Sequence, residues 1–363
     1  MEESQRVLEQ CTECGLCVED CEFLKQTCQS PKELAEKLQQ GSFREDPKSP
    51  YSCNLCGLCQ RLCPEDLNIG EMCFAVRQQL VQEGLAPLPK HEPVKNDQEW
   101  ATSEWFSVIA PASETTGCKR FFFPGCNLAG YSADLVIATY RYLRERLPGT
   151  GIILGCCGGP THDLGDQPGF ERMLDKVRSG MARAGTSEIV VACPHCYHVF
   201  KANAPDLRLR SVYEVMAEQG LPTTGKPSST KAFSLHDPCR TRFERTTQDC
   251  VRLLVTRMGY DVADMEYSRD KTRCCGMGGM AAYVDFRLVN RVAMRRAKEA
   301  PHDILTYCAS CRQAFAMLRK PSLHLLDLVF NPDRDKAPLD GARSRSQVRE
   351  SQLYLKSRLE RGI

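Results

Sequence analysis

Short apolar runs alternate with longer amphipathic stretches in most of the chain after residue 118. The apolar runs have three to five residues, as short strands do, and lie at 120–123, 151–154, 188–192, 233–235 and 303–306. The amphipathic stretches have helical periodicity and lie at 132–147, 170–184, 251–258 and 288–300. Strands that alternate with helices are typical of parallel sheets, whose ligand sites lie beyond the carboxyl ends of the strands.

The first 85 residues lack this alternation, and we predict that they are helical. Ser30 and Pro31 are favoured residues for the N-cap and the first position of a helix, and Gly41 suits the end of the same helix. Residues 70–83 show a further helical pattern. The N-terminal region is therefore expected to differ in architecture from the rest of the chain.

Two polar, proline-containing stretches and a charged tail complete the chain. The stretches are residues 84–117 and 222–230, and their composition predicts linkers or irregular structure. The tail, residues 331–363, is predicted to be helical after Ser344. Because charge is spread along this helix, we expect it to face solvent or a partner.

Composition narrows the class of protein. The chain has 363 residues, 42% of them hydrophobic, and a net charge of +2, which is too weak to favour nucleic acid as a partner. Its 22 cysteines are unusual. The first residues lack a basic segment followed by an apolar one, and no apolar run approaches the ~18 residues of a membrane span. We therefore expect a cytoplasmic protein, bound to a membrane only through a partner subunit, whose thiols bind metal.

Eight cysteines near the N-terminus form two copies of the spacing C-x-x-C-x-x-C-x-x-x-C. In two-cluster ferredoxins, three thiolates of each [4Fe–4S] cluster come from one such loop and the fourth comes from the other copy. Zinc is disfavoured because it prefers paired C-x-x-C units separated by a longer span. We predict one cluster on Cys11, Cys14, Cys17 and Cys63, and another on Cys53, Cys56, Cys59 and Cys21.

A second cysteine pattern also occurs twice, with five cysteines in each copy and the copies 113 to 118 residues apart. Five cysteines in the same order at a nearly constant offset indicate an internal duplication. Adjacent cysteine side chains diverge, so the pair in each copy suits two irons of an extended cluster better than one zinc ion. The two sets are Cys126, Cys156, Cys157, Cys193 and Cys196, and Cys239, Cys274, Cys275, Cys308 and Cys311.

Six motifs carry a resemblance to a known family. They are Phe123-Pro124-Gly125-Cys126, Cys156-Cys157-Gly158, Cys193-Pro194-His195-Cys196, His236-Asp237-Pro238-Cys239, Cys274-Cys275-Gly276 and Cys308-Ala309-Ser310-Cys311. Over residues 5–330 the chain resembles the catalytic subunit of heterodisulfide reductase, in the form that fuses a ferredoxin domain to two CCG domains. The resemblance implies two cubane and two noncubane [4Fe–4S] clusters. It also implies an oxidoreductase that splits a disulfide between small thiols at the ten module cysteines.

The same architecture occurs in the iron–sulfur subunits of glycolate oxidase, lactate-utilisation complexes and anaerobic glycerol-3-phosphate dehydrogenase, which relay electrons to a quinone or another acceptor. Their modules often lack some of the five cysteines. Both modules are complete here, which favours the disulfide-reductase-like branch, with the relay as the alternative.

The fold class that follows is α+β multidomain: a helical two-cluster ferredoxin domain followed by two repeated α/β CCG modules with parallel sheets. A flavin or nicotinamide site is expected on another subunit, because Walker-type loops and a strand-placed G-x-G-x-x-G are missing. The expected partners are redox subunits (a flavoprotein, a dehydrogenase or a membrane cytochrome b) and a small thiol/disulfide or a quinone. The predicted boundaries are 1–85 for the ferredoxin domain, 86–117 for a linker, 118–221 and 222–330 for the modules, and 331–363 for the tail.

Several residues beside the cysteines are candidates for further roles. His195 is predicted to donate a proton to a departing thiolate, whereas a hydrogen bond to cluster sulfur or backbone is favoured for His198 and His236. Asp237 is expected to cap a helix or orient His236, and Arg240 to hold an anionic group of a substrate in a cavity between the modules.

Four cysteines that fit neither pattern are expected to be buried apolar residues: Cys28, Cys73, Cys118 and Cys250.

Overall fold

The computed structural model describes residues 2–113, 117–222, 231–336 and 340–362. The helices in these ranges are α1 Glu2–Gln10, α2 Leu16–Glu19, α3 Glu22–Thr27, α4 Pro31–Gln39, α5 Leu58–Leu62, α6 Ile69–Gln82, α7 Glu92–Thr102, α8 Cys126–Tyr131, α9 Ala133–Arg146, α10 Gly159–Asp163, α11 Gln167–Arg183, α12 Pro194–Asn203, α13 Val212–Gln219, α14 Arg245–Arg257, α15 Phe286–Lys298, α16 Ala309–Met317, α17 Leu325–Phe330 and α18 Arg345–Glu360. The strands are β1 Val108–Ala110, β2 Arg120–Phe123, β3 Thr150–Leu154, β4 Glu188–Val191, β5 Arg208–Ser211, β6 Ala232–His236, β7 Asp261–Asp264, β8 Ile304–Thr306 and β9 Ser322–His324.

The N-terminal region is helical, as predicted. The Ser30 hydroxyl accepts a hydrogen bond of 3.2 Å from the Glu33 amide and so caps α4. The Asn68 side chain caps α6 in the same way, accepting from the Glu71 amide at 3.2 Å. Helices α1, α4 and α6 pack their apolar faces together into the core of this region.

The two α/β modules each contain a sheet built as the alternating pattern predicted. The first has the strand order β1-β3-β2-β4-β5, in which β1 is antiparallel and the other pairs are parallel. The second has the order β7-β6-β8-β9 and is wholly parallel. Strands β2, β3 and β8 are almost completely buried, which explains why each is a continuous apolar run rather than an alternating one.

The modules share a hydrophobic core rather than standing apart. Side chains of both sheets, such as Phe122 and Leu305, belong to one buried cluster. The Tyr213 hydroxyl donates to the carbonyl oxygen of Tyr307 at 3.1 Å across the boundary. The carboxyl ends of the two sheets are therefore held in a defined relation to each other.

The first predicted linker contains regular structure that its proline-rich composition did not indicate. Helix α7 and strand β1 lie within residues 84–117, and the prediction of irregular structure is wrong for those two elements. Pro93 occupies the first turn of α7, where its missing N–H costs no hydrogen bond. The second predicted linker lies outside the described residues except for residue 222, and residues 114–116 and 337–339 are also outside them.

The C-terminal helix α18 does not project into solvent. It packs against α8 and α9 of the first module, with Leu355 completely buried and Gln352 only 3% exposed. The Gln352 side chain donates to the carbonyl oxygen of Cys126 at 3.0 Å and accepts from Trp100 Nε1 at 2.8 Å. The expectation that this helix faces solvent or a partner is therefore wrong for the face that carries Gln352 and Leu355, which packs on the first module.

Candidate metal centres

The eight N-terminal cysteines form two groups whose members come from both motifs. Burial raises the pKa of the Cys17 thiol to about 12, with further contributions from Cys63, Cys11 and Cys14. Burial likewise raises the pKa of Cys21, followed by the proximity of Cys56 and Cys53. The structure thus brings together two sets, which we call the first and the second ferredoxin group. The first is Cys11, Cys14, Cys17 and Cys63, and the second is Cys21, Cys53, Cys56 and Cys59.

The two cysteine loops share a strained backbone geometry. Glu13 and Leu55, each two residues after the first cysteine of its motif, have φ of 57° and 51°. Residues other than glycine seldom adopt positive φ, and such strain persists where the surroundings hold it in place. The Leu55 amide lies 3.4 Å from Cys53 Sγ, as a donor to cluster-bound sulfur would.

The five cysteines of the first module converge from three places. Cys126 begins α8, Cys156 and Cys157 follow β3, and Cys193 and Cys196 lie at the start of α12. Hydrogen bonds from Cys126 and Cys157 hold the pKa of Cys156 well below its ordinary value.

A glycine makes this convergence possible. Gly125 has φ of 83°, and a Cβ atom there would lie 2.9 Å from Cys193 Cβ and 3.1 Å from Cys196 Sγ. The motif therefore needs glycine immediately before Cys126.

The second module repeats this arrangement. Cys239 follows β6, Cys308 and Cys311 lie at the start of α16, and Cys275 Sγ is 3.1 Å from Cys311 Sγ. The Cys274-Cys275 pair follows a short 3-10 turn, Arg269–Lys271, rather than a strand, and β7 ends ten residues before the pair. The Gly276 amide donates to Cys274 Sγ at 3.2 Å, as Gly158 does to Cys156 at 3.4 Å.

These donor sets fit iron–sulfur clusters. All 22 cysteines are free thiols, so disulfides do not explain their convergence. Thiolates buried together repel one another and need a multivalent cation between them. The imidazoles of His195 and His236 are buried close to these groups. His236 lies beside the Cys275 thiol, where it can donate to cluster sulfur, and His195 Nε2 lies 3.7 Å from Asp163 Oδ2.

The remaining four cysteines differ in their surroundings. Cys73 is completely buried and adjoins Cys53, which raises the pKa of the Cys73 thiol, so this cysteine lies against the second ferredoxin group. Cys28, Cys118 and Cys250 are half-buried rather than buried. The expectation of a buried apolar cysteine therefore holds for Cys73 alone.

A cavity of about 310 Å³ lies between the two modules. Cys126 and Cys156 of the first module and Cys275 of the second border it. Much of its wall is apolar and comes from α7, α15, α16 and the loop after Cys275, including Met277, Met280, Val289, Ala293, Met317 and Leu318. The duplication thus places cysteines of both copies around one space.

Two predicted lining residues lie elsewhere. Arg240 pairs with Asp163 at 2.7 and 2.9 Å, so its guanidinium is already occupied by a carboxylate. His195 Nε2 is 3.7 Å from Asp163 Oδ2, and burial lowers the pKa of this imidazole to about 4. Neither residue borders the cavity, and the expected role of Arg240 in substrate binding is wrong, because Asp163, buried in the first module, attracts it away.

Asp237 fulfils one of its two expected roles, because its carboxylate accepts from the Arg269 amide at 2.8 Å at the start of the 3-10 turn Arg269–Lys271. It is completely buried and accepts hydrogen bonds from Arg252 at 2.8 and 3.0 Å and from the Tyr307 hydroxyl at 2.9 Å. His236 is oriented by Arg296, whose Nε donates to His236 Nδ1 at 3.1 Å. Since Arg296 and Tyr307 are 60 or more residues away in sequence, only the fold could identify them as partners.

Sequence reasoning missed Gln98, which approaches the first module's cysteines from α7. Its Nε2 lies 3.7 Å from Cys156 Sγ, and its Oε1 accepts from the Thr161 hydroxyl. The spacing of Val94, Gln98 and Ala101 places all three on the buried face of α7, and this helical pattern was the available signal.

The second ferredoxin group lies directly against the second module. A hydrogen bond from Cys274 lowers the pKa of Cys56 to about 6. The Asn54 amide donates to the carbonyl oxygens of Gly276 and Gly278 at 2.8 and 2.9 Å. The two cysteine groups are therefore neighbours, with no intervening layer of protein.

A fully buried arginine joins the three regions. Arg77 donates to the carbonyl oxygens of Pro50 and Cys53 in the ferredoxin region, of Asp163 in the first module and of Gly279 in the second, at 2.6 to 3.0 Å. Its side chain is 0% exposed. Its position fixes the ferredoxin region against both modules.

The helical cysteine-loop region, the repeated sheets and the converging thiols together define an iron–sulfur electron-transfer protein. Family models agree: residues 10–68 match a 4Fe-4S dicluster domain, and residues 121–201 and 233–316 each match a cysteine-rich domain. The chain therefore combines a 4Fe-4S dicluster domain with two cysteine-rich domains, and it is similar to subunits of iron–sulfur oxidoreductases of the heterodisulfide reductase type.

Two characterised relatives align with most of the chain. A subunit of fumarate reductase (CoM/CoB) from Methanothermobacter marburgensis is 24% identical over 89% of this chain and 72% of its own length. A subunit of dihydromethanophenazine:CoB–CoM heterodisulfide reductase from Methanosarcina mazei is 25% identical over 83% of this chain and 86% of its own. Both names describe parts of redox enzymes. Among solved structures, an aspartate racemase of Picrophilus torridus aligns with a TM-score of 0.28 and 12% identity over 66% of this chain and 99% of its own, too weakly to bear on function.

No helix among the described residues has the length and apolar character that crossing a membrane requires.

Proposed function

We propose that this chain accepts electrons in its ferredoxin region and uses them to cleave a disulfide bound between the two modules. The two four-cysteine groups would hold cubane [4Fe–4S] clusters, and the two five-cysteine groups would hold noncubane [4Fe–4S] clusters. The module groups support this difference, since each offers one thiolate more than a cubane takes. In this proposal the ferredoxin domain is residues 1–85 and the two modules are residues 118–221 and 222–330. Residues 86–117 link the ferredoxin domain to the first module, and residues 331–363 form the tail.

The observation that carries the proposal is the cavity bordered by Cys126, Cys156 and Cys275. Cleavage of a disulfide consumes two electrons and two protons: RSSR′ + 2 e⁻ + 2 H⁺ gives RSH + R′SH. A [4Fe–4S] cluster supplies one electron at a time. A space that touches both modules lets each module serve one of the two sulfur atoms.

Neighbouring cysteines define a route by which electrons reach the cavity. Cys14, in the first ferredoxin group, is exposed and open to a donor. The second ferredoxin group adjoins the second module where Cys56 meets Cys274. A flavoprotein, dehydrogenase or cytochrome b subunit would supply electrons at the Cys14 face, as expected of a chain whose relatives are named as subunits.

The walls of the cavity indicate what kind of substrate it binds. Lysine and arginine are missing from its described lining. An adjoining cavity of about 270 Å³ shares six residues with it, among them Asp97, Cys126 and Met277, and is bordered by Arg343, Arg345 and Arg349. Arg345 and Arg349 lie 3.0 and 3.8 Å from the same carboxylate, Asp97, so positive charge is in excess there. The substrate is therefore a disulfide with an apolar centre and an anionic end.

The proposal is tested with anaerobically purified protein. It should contain on the order of sixteen iron atoms, four per cluster. Dithiodiglycolate, which is anionic, should alter the electron paramagnetic resonance spectrum of a module cluster at lower concentration than the neutral 2-hydroxyethyl disulfide. The double variant Arg345→Ala/Arg349→Ala should remove that preference. If no thiol or disulfide alters either module cluster while the chain still passes electrons to a quinone, the chain is a relay and the cleavage proposal fails.

The crossed ligand sets of the ferredoxin region have their own test. Cys63→Ala should damage the cluster on Cys11, Cys14 and Cys17, and Cys21→Ala should damage the one on Cys53, Cys56 and Cys59. Spectra of the two variants, compared with each other, decide the assignment. The opposite pattern of loss would show that each motif holds its own cluster.

A further inference from the structure

The two modules differ at one buried position beside their cysteines. Phe123 ends β2 three residues before Cys126, and His236 ends β6 three residues before Cys239. Phe123 meets Phe200 edge-on with ring centroids 5.1 Å apart, and His236 meets Phe315 in the same way at 5.0 Å. The two rings therefore occupy equivalent places in the duplicated fold, one apolar and one polar.

The helix that covers each ring also differs, since it presents apolar side chains in the first module and a charged one in the second. Helix α11 presents buried Val177 and Met181 to the core that contains Phe123. Helix α15 instead presents Arg296, which is 0% exposed and bonds to His236 and, at 2.8 Å, to Glu299. Burying a histidine and an arginine where the other copy has apolar side chains carries a desolvation cost, so the polar pair calls for an explanation.

The geometry sets the tautomer of His236. Arginine only donates hydrogen bonds, so His236 Nδ1, which accepts from Arg296 Nε at 3.1 Å, carries no proton. The proton of the neutral imidazole is then on Nε2, which is buried beside the Cys275 thiol. An imidazole nitrogen lies within 4.8 Å of the sulfur atoms of Cys275 and Cys311. The Nε2–H group is left to donate to sulfur of the second cysteine group.

We propose that His236, held by Arg296, donates a hydrogen bond to sulfur of the second module's cluster and makes that cluster easier to reduce. Hydrogen bonds to cluster sulfur help to set the reduction potential of iron–sulfur centres. Because the second module adjoins Cys56, the module cluster that receives electrons first is the one whose potential His236 raises. The inference rests on the proposed function only in requiring a cluster in each module.

The first module has weaker counterparts of this donor. Gln98 Nε2 lies 3.7 Å from Cys156 Sγ and equally far from Met173 Sδ, and its amide is not backed by an arginine among the described residues. His195 Nε2 lies 3.7 Å from Asp163 Oδ2, so a carboxylate competes with cluster sulfur for its proton. His236 with Arg296 is therefore the feature that distinguishes the second copy.

Redox titration followed by electron paramagnetic resonance tests the inference on the complete chain. His236→Phe, which copies the first module, should shift the midpoint potential of the second module's cluster to more negative values and leave the other clusters unchanged. His236→Gln, whose side-chain amide replaces the Nε2 donor, should restore most of the shift. Cys274→Ser identifies the signal of the second module by altering it.

Each outcome supports or overturns the inference. If His236→Phe loses the cluster, Arg296→Met is measured in its place. This variant frees Nδ1 to take the proton, so the midpoint potential should shift in the same direction by a smaller amount. An unchanged midpoint potential in His236→Phe overturns the inference. If that variant loses its cluster, an unchanged potential in Arg296→Met does so instead. A shift in His236→Gln as large as that in His236→Phe also overturns it. Wild-type protein without module clusters would instead refute the proposed function, as its iron content would show.

Discussion

The two cysteine-rich modules have the same ligand pattern but different neighbours. The second module's loop from Gly276 to Gly279 lies on the ferredoxin region, where Asn54 bonds two of its carbonyl oxygens. A Cβ atom on Gly279 would lie 2.6 Å from the Cys53 carbonyl oxygen, so this contact tolerates no larger residue. The first module's cysteines are covered instead by α7 and α18, through Gln98 and Gln352.

The comparison shows how two copies of one unit come to have different surroundings. The sheets and cysteines of both copies are alike because the same local rules build them. Segments outside the repeats decide which copy adjoins the ferredoxin region and which is covered by α7 and α18. We infer that the second module receives electrons and that the first completes the site where the substrate binds.

The largest effect is expected from removing the adjacent cysteines of either module. Cys156→Ala/Cys157→Ala and Cys274→Ala/Cys275→Ala should each abolish disulfide cleavage and remove about four of about sixteen iron atoms. The two variants should differ in electron transfer. With the first pair removed, the second module's cluster should still reduce rapidly from a donor at the ferredoxin region.

With the second pair removed, the first module's cluster should stay oxidised on the same timescale, because its neighbour on the route is missing. Freeze-quench electron paramagnetic resonance measures both. Equal rates of reduction of the remaining module cluster in the two variants would contradict the asymmetry.

A smaller but substantial effect is expected at Arg77, which holds both modules against the ferredoxin region. Arg77→Met leaves the buried carbonyl oxygens of Pro50, Cys53, Asp163 and Gly279 without this donor. Each unsatisfied group costs about 1–3 kcal/mol, so the variant should lose at least ~3 kcal/mol of stability. Urea unfolding monitored by cluster absorbance measures it.

Arg44→Met is the matched control for that loss. Arg44 pairs with Glu83 at 2.6 Å on the surface, where its side chain is 46% exposed. Exposed pairs contribute little to stability, so this variant should lose far less than Arg77→Met. Comparable destabilisation by the two variants would show that Arg77 does not join the three regions.

The smallest effects are expected from removing a side chain that contacts only one module, and they show whether each module responds on its own. Asn54→Ala removes two hydrogen bonds to the second module's loop, and Gln352→Ala removes one to the Cys126 carbonyl oxygen of the first. Each variant should lose about 1–3 kcal/mol and change the spectrum of its own module only. A change in both module spectra from either variant would mean that the modules respond as one unit.

The sequence alone determined the parts of this protein that depend on local rules. Apolar runs and helical periodicity predicted most of the strands and helices that place cysteines, because a buried parallel strand and an amphipathic helix each need their own pattern. The spacing of the cysteines predicted the metal sites, since a cluster needs several thiolates from short loops. The offset between the copies predicted the duplication.

Only the tertiary structure decided which groups surround those cysteines. Gln98 meets Cys156 across 58 residues, Asn54 meets Gly276 across 222, and Gln352 meets Cys126 across 226. Nothing near Arg240 in the sequence showed that Asp163, 77 residues earlier, would bind it. Such partners depend on how whole elements pack, and a periodic pattern records only that a face is buried, not what it is buried against.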